Sequence, residues 1–87
     1  MRDDGWRASI RWVVLHPDLP EVLLAQRGGR LVLPEAERPG QVWVGDPAEV
    51  LPSLRELLGG EAVLLTCLVE VEDPSARLQR VTLLAAA

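Results

Sequence analysis

The sequence predicts a single α+β domain, a small mixed β-sheet with two hairpins carrying one principal α-helix. Three observations predict it. Short apolar runs with period-two alternation, bounded by Pro and Gly, recur along the chain, which is how half-buried strands read. Only the stretch beginning at Asp46 carries helix punctuation together with helical apolar spacing. The 87 residues suffice for one core and not for two, so residues 1–87 are read as one domain.

Residues 8–16 form the first predicted strand, with Ile10, Trp12 and Val14 alternating against Ser9, Arg11 and Val13. Pro17 ends it, and His16-Pro17-Asp18-Leu19-Pro20 has the composition of a turn into a second strand, residues 21–26, expected to pair with the first as a hairpin. Gly28-Gly29 marks a tight reversal into a third strand, residues 30–33, stopped by Pro34. Residues 35–40, charged and holding Pro39 and Gly40, read as a loop, and residues 41–44 as a fourth short strand. Asp46 then stands as a helix N-cap, with Pro47 at the first helical position and Glu49 three residues after the cap. Val50, Leu51, Leu54, Leu57 and Leu58 line one side of this helix, Gly59-Gly60 ends it, and Pro52 predicts a kink or an offset first turn. Residues 61–72 are the longest strand; Asp73-Pro74-Ser75-Ala76 turns the chain into residues 77–85, completing a second hairpin.

Composition excludes several function classes. The content is 48% hydrophobic and 25% charged, that of a folding chain. With no Phe or Tyr and only Trp6, Trp12 and Trp43, Val and Leu must fill the interior. A net charge of -4 and scattered Arg residues argue against a nucleic-acid partner. All the basic side chains are Arg, which reads as a high-GC bacterial codon bias. One cysteine, Cys67, and one histidine, His16, allow neither an intramolecular disulfide nor a Cys/His metal site, and a reducing, cytoplasmic setting is expected. Met1-Arg2-Asp3-Asp4 does not open a leader, and no apolar run is long enough to span a membrane. The last residues, Leu83-Leu84-Ala85-Ala86-Ala87, leave a strand with no polar tail, so the domain is expected at the N-terminus of a longer gene product.

The order strand, turn, strand, Leu33-Pro34, loop, Gly45-Asp46, then a helix bearing Arg55-Glu56-Leu57 and a further strand resembles the Nudix fold, from about residue 11 to 84. Residues 21–27 look like that family's second strand. The departures concern catalysis. Nudix hydrolases place two adjacent glutamates after Arg-Glu, where they hold Mg²⁺ against a pyrophosphate, and Gly59-Gly60 occupies those positions here. Leu-Pro-Gly-Gly has become Leu33-Pro34-Glu35-Ala36, Gly45-Asp46 is one residue out of register, and the final helix usual in the family does not follow. The resemblance thus implies a trimmed scaffold without catalysis.

Remaining candidates are few. Glu35, Glu37, Asp46 and Glu56 are the carboxylates a relocated Mg²⁺ site would need, though dispersed carboxylates usually face water. Arg55-Glu56 reads as an exposed pair, His16 as a strand-end residue, and Cys67 as a buried filler, since nothing nearby lowers a thiol pKa. Gly28-Gly29 between Arg27 and Arg30 reads as a hairpin turn before it reads as a phosphate loop. Trp12 is expected in the core, and Trp6 against another domain.

The expected function is therefore a non-catalytic accessory, recognition or assembly domain of a larger bacterial protein, with no cofactor and a small-molecule phosphotransferase as one conceivable attached domain. One alternative is a divergent hydrolase of nucleoside diphosphate-linked compounds, with Mg²⁺ on the four carboxylates. The other is a small homodimer that pairs exposed sheet edges. The expected partner is accordingly another domain of the same chain or a second copy.

Overall fold

A computed structural model describes residues 5–87, so the opening stretch Met1–Asp4 lies outside the described residues. Seven elements follow in order: β1 (Arg7–Leu15), β2 (Ala25–Arg27), β3 (Arg30–Val32), β4 (Glu35–Pro39), α1 (Pro47–Leu58), β5 (Val63–Asp73) and β6 (Leu78–Ala86). Four of the strands build a sheet in the order β4-β1-β6-β5, while β2 and β3 pair as a separate hairpin. β1 runs parallel to β6, with Ile10 beside Val81 and Trp12 beside Leu83; the other pairings are antiparallel. The small mixed sheet, two hairpins and single helix are thus the architecture of the chain.

The alternation of β1 and β6 explains the core. Ala8, Ile10, Trp12 and Val14 of β1 and Val81, Leu83 and Ala85 of β6 point to one face, where Val50, Leu51 and Leu54 of α1 close over them. α1 begins at Asp46, whose carboxylate accepts from the Ala48 N–H at 3.0 Å, and ends at Gly59, whose N–H still donates to the Arg55 carbonyl and whose φ of 67° turns the chain out of the helix. Pro52 lies within this one helix without ending it. Leu57 departs from the expected stripe: it lies roughly 70° off the centre defined by the three buried residues at 3.6 residues per turn, and it is exposed.

Three sequence expectations need correction. Residues 35–40 are not a loop; Glu35–Pro39 is β4, an edge strand against β1. Its charges are matched across the pair, since Glu35 Oε1 accepts from Ser9 Oγ at 3.1 Å and Glu37 lies 3.7 Å from Arg7. Pro39 is tolerated because the outer edge needs no donor there. Residues 41–44 form no strand. The Val42 N–H donates to Gln79 Oε1 at 2.8 Å and its carbonyl accepts from Gln79 Nε2 at 3.1 Å, so a side chain takes the place of a strand partner. The hairpin expected between residues 8–16 and 21–26 shrinks to one bridge, Leu15 with Val22, flanked by the His16 N–H on the Glu21 carbonyl and the Leu23 N–H on the Val14 carbonyl, because residues 34–39 take the same edge of β1 from Trp12 back to Arg7. The tight hairpin is instead β2–β3, with Gly28 and Gly29 at φ 58° and 76°, as a type I′ turn requires.

Candidate functional site

The carboxylates proposed from sequence are employed separately. Glu35 and Glu37 face Ser9 and Arg7 on the sheet, and Asp46 caps the helix. Glu56 is exposed on α1, and its neighbour Arg55 pairs with Glu61 at 3.4 Å beyond the helix end. Among the described residues there is no group of three or more His, Cys, Asp or Glu placed to hold a metal ion. His16 Nδ1 accepts from the Asp18 and Leu19 N–H groups, both at 3.0 Å, and so builds the turn it begins. Arg27 and Arg30 stand opposite each other across the Gly28-Gly29 turn.

Cys67 is half-buried rather than buried, on the helix side of β5 opposite Leu83. Desolvation, reinforced by the Glu70 charge, pushes its thiol above the ordinary range, against a smaller lowering by the Val69 backbone. A thiol so placed stays protonated near neutrality and is a poor nucleophile.

Sequence reasoning expected exposed sheet edges and uncovered apolar sheet surface but did not place them on a strand. The β5–β6 register puts Val63, Val69 and Val71 on that open face, exposed by 60%, 53% and 52%. Two bulges, between Leu64 and Thr66 and between Cys67 and Val69, leave Leu65 and Leu68 exposed as well. These five aliphatic side chains lie along an 11-residue strand at the sheet's edge, where a row of backbone groups has no neighbouring strand. The other half of the open face is charged, with Arg11 and Arg80 beside Glu35 and Glu37. At the end where β1 and β6 finish, an apolar cleft of about 200 Å³ lies between Leu15, Val22, Leu23, Leu58 and Ala87.

A second cleft, of about 370 Å³, lies on the helix side between residues 41–44 and the β5–β6 hairpin. Glu70 and Glu72, two apart on β5, line it together with Gln79 and the 62%-exposed Trp43. The legible signal for Gln79 was its place in β6, where positions 79, 81, 83 and 85 all face the core and one of them is polar.

No protein-family description and no curated protein matches the sequence. Among solved structures, the chain is similar to part of a protein from Sinorhizobium meliloti that carries the provisional name oxidoreductase, with a TM-score of 0.68 and 24% identity. The match covers 99% of this chain and 28% of that one. At that identity the likeness concerns the fold alone. No helix among the described residues is long and apolar enough to cross a membrane.

Proposed function

We propose that this chain is a non-catalytic, Nudix-like accessory domain of a larger bacterial, cytoplasmic protein, and that it docks on another domain of that protein through the open face and β5 edge. The observation that carries this reading is the row of exposed aliphatic side chains on an unpaired 11-residue edge strand. Apolar edges of this kind invite a partner, and soluble chains otherwise guard them with charge or proline. The apolar stretch from Val63 to Val69 contains neither Lys, Arg nor Pro. The recurrence of the fold as 28% of a longer chain supports a partner within one polypeptide. Gly59-Gly60 in place of paired glutamates, and the structural employment of Glu35, Glu37 and Asp46, support the absence of catalysis.

Val69→Lys/Val71→Lys tests the docking. In the isolated chain each substitution is expected to cost about 0.5 kcal/mol, somewhat more at position 71 where the Lys stands opposite Arg80, whereas in the full gene product the same pair is expected to detach the domain, seen as rapid proteolytic release. Equal resistance of parent and variant in the full product would count against docking here. Concentration-dependent dimerisation of the isolated chain, abolished by the same pair, would instead favour pairing with a second copy. Mg²⁺ binding that Glu56→Gln removes would reinstate the hydrolase reading.

A further inference from the structure

We propose, resting on the docking reading above, that β5 takes up a strand of the docked domain along Val69–Asp73, and that this strand alternates aliphatic side chains with Arg or Lys. β5 ends the sheet order, and among the described residues no strand pairs with its far side. Its two bulges divide it. Before Val69 the register shifts twice, between Leu64 and Thr66 and between Cys67 and Val69, and a shifting strand offers a new neighbour no continuous ladder. From Val69 beside Thr82 to Asp73 beside Leu78 each residue steps along β6 in turn. On that regular stretch every second residue turns its N–H and C=O away from β6, toward the free edge. Residues 63–68 thus offer a partner aliphatic side chains, and residues 69–73 offer it a backbone to pair with.

The side chains of the regular stretch select the occupant. Val69 and Val71 face the open side, while Glu70 and Glu72, beside buried Val81 and Gln79, face the helix side. Residues directly opposite on paired strands share a face, where opposite charges stabilise and like charges destabilise. A second copy fails this condition. Antiparallel self-pairing centred on residue 70, 71 or 72 sets Glu70 against Glu70, Glu70 against Glu72, or Glu72 against Glu72 of the other copy. A strand with Arg or Lys opposite both glutamates meets the condition, and aliphatic residues at its alternate positions extend the valine row on the open side. The two carboxylates thus guard β5 against a copy of itself and attract a basic strand.

The test is proteolytic release of the domain from the full gene product, with hydrogen exchange across residues 69–73 reading the added strand. Glu70→Gln/Glu72→Gln keeps an acceptor for the Gln79 side chain, which donates to Glu70 at 2.9 Å. It is expected to speed release roughly tenfold through the loss of two cross-strand ion pairs, and to lower protection of the outward-facing amides of 69–73. Glu72→Lys should release the domain faster than Glu72→Gln, and added salt should speed release of the parent more than of the double variant. Glu21→Gln/Glu56→Gln, an equal change of net charge elsewhere, should behave like the parent. Urea unfolding of each isolated variant separates lost docking from lost fold. If Val69→Lys/Val71→Lys detaches the domain while the glutamate variants hold it as the parent does, docking stands and the basic strand is overturned. If none of them detaches it, docking fails and the strand with it. Equal effects of the two glutamine pairs, or protection of residues 69–73 in a dimer of the isolated chain, would also overturn the basic strand.

Discussion

Trp12→Ala is expected to lower the stability of the domain by about 3–5 kcal/mol, the cost of emptying a fully buried aromatic site. Trp12 is 0% exposed and sits on a central strand beside Leu83, with Val50, Leu51 and Leu54 of α1 in the same core. The other buried core side chains are Ala, Ile, Val and Leu, none of them large enough to fill the space. For a domain of this size the total is roughly 4–13 kcal/mol at 0.05–0.15 kcal/mol per residue, so the loss is a large share of it. The thermal midpoint should fall by roughly 12–40 °C at about 4–8 °C per kcal/mol. Trp12→Phe separates volume from polarity. Trp12 Nε1 is a buried donor without an acceptor among the described residues, and Phe removes it while keeping most of the ring. That variant should stay within about 1.5 kcal/mol of the parent. Urea unfolding measures both, and a Trp12→Ala midpoint close to the parent's would mean that the sheet and helix do not share this core.

Gln79→Leu is expected to cost about 2–4 kcal/mol, because it leaves the N–H and carbonyl of buried Val42 without partners. The same urea experiment reads it. Gln79→Glu adds a pH signature. The new carboxyl keeps an acceptor for the Val42 N–H but turns oxygen toward the Val42 carbonyl and Glu70, so its folded pKa is raised. A raised folded pKa means that this variant is most stable below the unfolded value, about 4.3, and loses stability as pH rises through the folded value. A variant whose stability does not fall over that range would contradict the role of Gln79 as a substitute strand partner.

The parts of the fold that were legible share one property: their signal lies in neighbouring residues. Trp12 and its alternating neighbours announced β1, and Asp46-Pro47 with Gly59 announced both ends of α1. What misled was pairing across long separations. Glu35–Pro39 looks like a loop until Arg7, Ser9 and Arg11 stand opposite it, and residues 41–44 look like a strand although Val42 pairs with a side chain 37 residues away. Exposed sheet edges were foreseen, but which segments carry the candidate surfaces was illegible for the same reason. Trp43 and Glu70 meet only because Gln79 holds both their segments, and β5 reads as an ordinary apolar strand until the sheet order leaves it at the edge.

In the proposed docking, β5 and the open face it borders are covered in the full gene product, and hydrogen exchange distinguishes a covered edge from a bare one. Amide exchange across Val63–Asp73 would be measured in the isolated 87-residue chain and in the full gene product at matched low concentration. With docking, the outward-facing amides of β5 are expected to exchange rapidly in the isolated chain and to become protected in the full product, while amides of β1 stay slow in both. Rapid exchange of those β5 amides in both would contradict it.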